Sequence, residues 1–310
     1  MRLICAPKSF AFEPDSEALQ VVLYGHRGRQ GERASVGALV KRRFVLNKLA
    51  VHPRAWDFLS LALAVVTADF AEPRDFSPGG WTREFDVAVA GTEPDLWTSQ
   101  KGGIEAALAF LTTDRWRLRF IAGGDAFEAP ADRILPPEES VALLSGGLDS
   151  LIGAIDLVRA GKKPLDVSQI VRGDAEKQVQ FAQRLGPLRH LVFNHSAITP
   201  DSQATLSQRS RSLIFVAFGV AAATTLASYE AGGEVPLYIC ENGFIAINPP
   251  LTGARLGSLS TRTAHPLFLG RIQGILDACG LRVKLDNPYR HQTKGEMLAS
   301  CVDQNLIKSL

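Results

Sequence analysis

The chain has 310 residues, a length that usually divides into two domains. Its net charge of +2 removes any global electrostatic case for a nucleic-acid or membrane-surface partner. With 46% hydrophobic and 21% charged residues the composition is that of an ordinary globular protein with ample material for a core. The cysteines, Cys5, Cys240, Cys279 and Cys301, include no CxxC pair, and the start, MRLICAPKSF, lacks the apolar run that secretion requires. Both features predict a reduced, cytoplasmic protein. The most apolar segment, SLIFVAFGVAAATTLA (Ser212–Ala227), is shorter than the ~20 residues of a membrane span and reads as a buried helix.

In chain order, the first part reads as a mixed α+β unit. QVVLYG (Gln20–Gly25) predicts a strand, and GHRGRQGE after it a hairpin tip; no helix start follows that would make an anion site of its glycines and arginines. WDFLSLALAVVTADF (Trp56–Phe70) has helical spacing and FDVAVAG (Phe85–Gly91) alternates as a half-buried strand does. GIEAALAFLTTD (Gly103–Asp114) predicts a helix and RWRLRFIAGG (Arg115–Gly124) another alternating strand. Ala126–Glu139, rich in proline and acid, predicts a linker, with domains over 1–135 and 136–310.

Beyond Leu135 the pattern changes. A VALL strand (Val141–Leu144) leads to a helix over Asp149–Ala160, and strand Pro164–Val171 to a helix over Ala175–Leu185. Strand Arg189–Asn194, the apolar helix and strand Val235–Cys240 follow. Strands alternating with helices of this length predict βαβ units and a parallel sheet covered on both faces.

Between the VALL strand and its helix stands Ser145-Gly146-Gly147-Leu148-Asp149-Ser150. Ligands of such sheets sit at the carboxyl ends of the strands. Glycines there admit positive φ and let backbone N–H groups approach a ligand, and the helix that follows adds its own unpaired N–H groups and a partial positive charge. The combination predicts a phosphate site, with Ser145 and Ser150 as hydroxyl donors and Asp149 as a metal ligand or helix cap. The stretch has neither the lysine of GxxxxGK[ST] nor the spacing of GxGxxG or GxSxG.

Ser-Gly-Gly-x-Asp-Ser is the signature of pyrophosphatase-loop (PP-loop) ATPases, which cleave ATP between the α- and β-phosphates. Further stretches extend the likeness: SQIVRGDAEKQ, SQRSRSLIFVAFG, ENGFIAINPPL, LGSLSTRTAHP and TKGEML. With them the chain resembles the QueC-like (7-cyano-7-deazaguanine synthase-like) family, and its antiphage-defence branch, the QatC proteins, almost from end to end. The resemblance implies a Rossmann-like PP-loop domain behind a smaller α+β domain. It also implies ATP and Mg2+ as cofactors, adenylation of a 7-deazaguanine carboxylate, and transfer to an amine, possible acceptors including a protein partner from the same defence system. Alternative readings are an idle nucleotide-binding sensor or scaffold, and a PP-loop enzyme amidating another acid or modifying a tRNA base; near-neutral charge disfavours nucleic acid.

Backbone groups at Ile170 and Val171 are expected to read adenine, and Arg209 and Arg211, at the start of the apolar helix, to lie near nucleotide, since cations are unfavourable at a helix N-terminus without an anion. Glu241 and Asn242 follow a strand's carboxyl end and are expected to bond a guanine-like edge. By resemblance, Ser260, Thr261 and His265 belong to a loop closing over substrate, with Arg262 facing a carboxylate or phosphate and Lys294 compensating phosphate charge. QueC-like proteins usually end in CxxC pairs that bind structural zinc. These cysteines are too far apart in sequence for that, so zinc is not expected within residues 1–310.

Overall fold

The computed structural model describes residues 1–13, 17–25, 33–77, 79–170, 175–199, 209–247, 262 and 264–308. The first sheet comprises β1 (Arg2–Pro7), β2 (Leu19–Leu23), β3 (Ala34–Val36), β4 (Glu84–Ala90) and β5 (Arg115–Ile121), in the order β3-β2-β1-β4-β5. The second comprises β6 (Val141–Leu143), β7 (Leu165–Gln169), β8 (His190–Phe193), β9 (Val235–Tyr238) and β10 (Val283–Asp286), in the order β10-β9-β6-β7-β8. Every strand pair is parallel. Counted within its own half, each sheet therefore has the same order, third-second-first-fourth-fifth, with a topological switch between its first and fourth strands.

The first half is thus α/β rather than the mixed α+β unit expected from its alternating strands. The reason lies in what covers the sheet. Helices α2 (Pro53–Ala71) and α3 (Pro94–Thr112) pack on one face, burying Leu3, Cys5, Val87, Trp116 and Leu118, while α1 (Ala38–Leu46) packs against β8 of the second sheet through Phe44 and Phe193. The intervening positions Arg2, Glu84, Arg115, Arg117 and Arg119 are exposed. One-sided burial produces period-two alternation whichever way the neighbouring strands run. Parallel pairing of β2 with β3 also overturns the hairpin reading of the segment between them, whose residues 26–32 lie outside the described part.

In the second half, α4 (Leu148–Arg159), α5 (Ala175–Leu185) and α6 (Arg211–Ala223) fall where helices are expected, though the apolar run breaks after Ala223 and resumes as the short α7 (Ala227–Glu230); α8 (Gly243–Ile247), α9 (Pro266–Ala278), α10 (Lys294–Ser300) and α11 (Gln304–Lys308) lie beyond the last element predicted. Adjacent residues of β6 serve opposite layers. Val141 and Leu143 join the core beneath α6 and α9, whereas Ala142 and Leu144 join the one beneath α4 and α10. The first of these cores is continuous with that of the first half.

The two halves meet through equivalent helices. Helix α2, buried around nearly its whole circumference, packs on α6, and α3 packs on α9. Both pairs are antiparallel. The His52 N–H before α2 donates to Thr224 Oγ1 after α6 at 3.2 Å, and the Ser210 hydroxyl before α6 donates to Asp69 near the end of α2 at 2.7 Å. Arg54 of α2 donates to the last carbonyl of α9, Cys279 O, at 3.0 Å, while Arg271 of α9 reaches Ala106 O of α3 at 2.7 Å. The amino edge of the first sheet consequently lies beside the carboxyl edge of the second.

A buried ion network closes that seam. Arg83, fully buried, donates to Asp69 Oδ1 at 2.5 Å and Asp114 Oδ2 at 2.8 Å, and Arg74 clasps Asp114 at 2.9 and 2.8 Å. Burial alone would lower the Arg83 pKa; hydrogen bonds and charge from Asp114 and Asp69 outweigh it and raise the pKa. Between the sheets, the predicted linker carries no helix or strand. Phe127 anchors it with its ring centroid 4.9 Å from Trp56, and Ile134 N–H donates to Lys48 O at 2.8 Å.

Candidate functional site

The serine-glycine turn lies at the carboxyl end of β6, the central strand of the second sheet. Gly146 has φ +89°, a conformation that only glycine adopts without strain. Gly147 caps α4 without any side-chain hydrogen bond, so the first-turn amides of that helix have no capping partner among the described residues. The two serines hold the turn in shape. Ser150 donates to Gly147 O at 2.9 Å, Ser145 donates to Ser150 Oγ at 3.0 Å, and Gly147 N–H donates to Ser145 Oγ at 3.3 Å.

Asp149 points away from its own helix end and does not cap it. Its buried carboxylate accepts from Asn242 N–H at 3.1 Å and Asn242 Nδ2 at 2.5 Å, and its other oxygen stands 3.0 Å from Lys294 Nζ. The loop, the end of β9 and the start of α10 therefore converge on one carboxylate. Glu241 is the second acid here. Burial first, then the Asp149 charge, push its carboxyl up to about 7 against the opposing effect of Lys294. Beneath the turn a cavity of ≈ 20 Å³, lined by Ser145, Ser150, Ser212, Phe215, Cys240 and Glu241 among others, has room for one water. The start of α6, through Ser212, thus approaches the turn from the side opposite α4.

The structure brings Ser145, Gly146, Gly147, Leu148, Asp149, Ser150, Glu241, Asn242 and Lys294 together. Asn242 is already engaged at both ends of its amide, since its Oδ1 also accepts from Ile245 N–H at 3.0 Å, so it positions Asp149 and α8 rather than presenting a free edge to a base. Ile170, half exposed, continues β7 with its N–H donated to Phe193 O at 2.8 Å, leaving its carbonyl at the sheet edge. Val171, Ser260 and Thr261 lie outside the described residues.

Three predicted residues stand elsewhere, against the carboxyl end of α3. Arg209 donates to Thr112 O at 3.1 Å and Thr113 Oγ1 at 2.9 Å. Arg262 donates to Phe110 O at 2.5 Å, with its guanidinium 4.5 Å from the Phe110 ring centroid. The exposed carbonyls of a helix end attract cations, and α3 offers them where α6 and α9 begin. His265 caps α9, its Nδ1 accepting from Leu267 N–H at 3.1 Å; burial, then Arg262, lower its pKa. Arg211 opens α6, and after burial its charge helps push the His195 pKa down to about 4.

Two supporting residues were not singled out in the sequence, although Gln178 closes the stretch SQIVRGDAEKQ. Gln178 of α5 donates to Ser145 O and to Gln169 O, both at 3.0 Å, tying the turn to the end of β7. Asn287, after β10, donates to Glu241 O at 2.8 Å and fixes the backbone of that acid.

The corresponding crevice of the first half is closed. A Cβ on Gly124 would lie 2.5 Å from the Gly91 backbone. Near the start of α3 the buried Asp57 carboxylate accepts from Thr92 N–H at 3.0 Å, Thr92 Oγ1 at 2.8 Å and Trp97 Nε1 at 3.1 Å, so the chain supplies its own anion. Among the described residues, no group of three or more His, Cys, Asp or Glu side chains could hold a metal ion, and none of the helices is long and apolar enough to cross a membrane. No protein-family model, curated protein or solved structure matches the chain.

Proposed function

We propose that the chain is a PP-loop adenylating enzyme that converts ATP to AMP and pyrophosphate while activating the carboxylate of a 7-deazaguanine acid, as its resemblance to the QueC-like family implies. The observation that carries this reading is the convergence of the uncapped N-terminus of α4, a glycine turn at a topological switch point, and the Asp149–Lys294 pair. Uncapped amides favour the phosphates, and Lys294 supplies a point cation to them as charge develops.

A divalent cation suits the acids present. Asp149 Oδ1 is buried and faces the Lys294 ammonium at 3.0 Å, and the Asp149 charge adds to burial in pushing the Glu241 carboxyl up. Asp149 would hold Mg2+, which when bound would neutralise phosphate charge. In the first step a carboxylate oxygen of the acid attacks the α-phosphorus, the bond to the bridging oxygen breaks, and pyrophosphate leaves with that electron pair. In the second, an amine attacks the acyl carbon and AMP departs, while Glu241, with its carboxyl raised to about 7, takes the amine proton. The amine belongs to ammonia or to a protein partner of an antiphage-defence system.

The test is AMP formation from ATP with 7-carboxy-7-deazaguanine, with and without candidate partner proteins, in wild type and Asp149→Ala. Acid-dependent AMP that vanishes in Asp149→Ala is expected. A wild type that binds ATP yet forms no AMP under any of these conditions would replace catalysis by a nucleotide-binding scaffold.

A further inference from the structure

Asp149, Glu241 and Lys294 come from three different elements, and one short segment is fastened to each of them. Residues 287–293 run from the end of β10 to the start of α10. Asn287 Oδ1 accepts from Tyr289 N–H at 3.1 Å while its Nδ2 donates to Glu241 O, which ties the segment to the strand end carrying Glu241. Gln292 O accepts from Gly243 N–H at 2.8 Å, a second tie to the same strand end. The segment then delivers Lys294, whose Nζ stands 3.0 Å from Asp149 Oδ1.

Helix α4 holds the segment as well. Asp149, Gly153 and Asp156 stand at i, i+4 and i+7, on one face of that helix. Tyr289 is buried against this face. A Cβ on Gly153 would lie 3.4 Å from Tyr289 Cε2, and the Tyr289 hydroxyl donates to Asp156 Oδ2 at 2.6 Å. Asp156 Oδ1 accepts from Val302 N–H, just beyond α10, at 3.1 Å. One carboxylate therefore grips the chain both before and after α10. Between those grips Met297 and Cys301 are buried in the core to which α4 contributes Leu151 and Ile155. With Lys294 at Asp149 and Val302 at Asp156, α10 runs alongside α4 in the same direction.

This register matters because Lys294 does not stand where a lysine settles unaided. It is the first residue of α10, directly after the Thr293 cap, where the helix dipole disfavours a cation. Its side chain is 50% exposed, and an ion pair with so exposed a partner holds its geometry weakly. The ammonium stays at Asp149 because α10 is held in place. Burial of Met297 and Cys301 supplies attraction without direction. Hydrogen bonds to the Asp156 carboxylate supply direction, and those to a charged acceptor are the stronger kind. At 2.6 Å against 3.1 Å, the Tyr289 bond is the shorter of the two.

We propose that Tyr289 is a positioning residue: through Asp156 its hydroxyl sets the register of α10 on α4 and so keeps the Lys294 ammonium at Asp149 and the loop. The consequence for turnover rests on the adenylating reading given above. The consequence for Lys294 itself does not.

The test compares wild type with Tyr289→Phe, Asp156→Asn, Asp149→Ala and Lys294→Met. Brief acetylation of the nucleotide-free protein with acetic anhydride, read by peptide mass spectrometry, measures how free the Lys294 amine is. Exposed Lys284 serves as the internal reference. Asp149→Ala removes the partner and is expected to raise Lys294 labelling severalfold relative to Lys284. Tyr289→Phe should reproduce most of that rise with the circular dichroism of the folded protein retained. Asp156→Asn keeps the side-chain shape, loosens the same grip from the α4 side and should act in the same direction. In turnover, Tyr289→Phe is expected to lower kcat about tenfold through misplacement of Lys294, and to lower it no further in Lys294→Met. Lys294 labelling that stays at the wild-type level in Tyr289→Phe and Asp156→Asn would overturn the proposal, as would labelling unmoved by Asp149→Ala. So would an equal kcat loss from Tyr289→Phe with and without Lys294. A wild type that forms no AMP, but whose Lys294 labelling follows Tyr289, would support the positioning role and refute adenylation, so the two readings fail separately.

Discussion

Replacing helix glycines by alanine tests the packing that places α4, because the structure predicts opposite signs for substitutions that look alike in sequence. Gly102 in α3 and Gly274 in α9 have nothing within 4 Å of an added Cβ. Gly102→Ala and Gly274→Ala should each stabilise by up to about 1 kcal/mol through helix propensity alone. Gly153 in α4 is different: an added methyl would lie 2.2 Å from Cys240 Sγ and 2.4 Å from Cys240 Cβ. The sulfur can rotate aside, but the Cβ is fixed to the strand end, so α4 must retreat by about an ångström. Overpacking of this kind costs about 1–3 kcal/mol, and the upper part of that range applies because neither backbone can yield alone. Against a propensity gain of about 1 kcal/mol the net effect is a loss of about 1–2 kcal/mol.

Urea denaturation at constant protein concentration measures the difference, with a melting-point change of about 2–4 °C per kcal/mol as a second readout. The retreat of α4 would also move the amides at its N-terminus, so Gly153→Ala should weaken ATP binding while Gly102→Ala leaves it intact. Adding Cys240→Gly to Gly153→Ala should restore much of the loss. A Gly153→Ala protein as stable as Gly102→Ala would refute the close approach of α4 to β9, and with it the account of how the loop is positioned.

Other expectations follow from the buried charges. Asp166 is fully buried with no partner for either oxygen among the described residues, and burial pushes its carboxyl up to about 7. Between pH ~4 and 7 the unfolded chain loses this proton while the folded one keeps it, so stability falls as pH rises through that window and then levels off. Asp166→Asn should abolish that slope and exceed wild type by a few kcal/mol at pH 8, with little difference at pH 4; parallel stability curves for the two proteins would contradict this. Arg83→Met leaves Asp69 and Asp114 buried without their shared cation and should destabilise by about 3–5 kcal/mol in chemical denaturation. Lys294→Met removes the cation that holds the Glu241 carboxyl down. The midpoint of any Glu241-dependent pH–rate profile should then move above 7, and an unmoved midpoint would show that Lys294 does not act on Glu241.

What the sequence determined by itself was the second half and its loop. The Gly146-Gly147 pair, the following amphipathic helix and the apolar run at Ser212 are local signals: positive φ, period 3.6 and full burial each leave a mark on neighbouring residues. The meeting of Asp149 with Glu241, Asn242 and Lys294 was legible only as separate motifs, since nothing in the chain between residues 149 and 294 states their distance. Tertiary structure decided the rest. Alternation along β4 and β5 records one-sided burial and is silent on strand direction, so the parallel first sheet could not be read from it. Arg209 and Arg262 carry the same charge wherever they stand. Only the tertiary packing around the carboxyl end of α3 places carbonyls of a helix end within their reach.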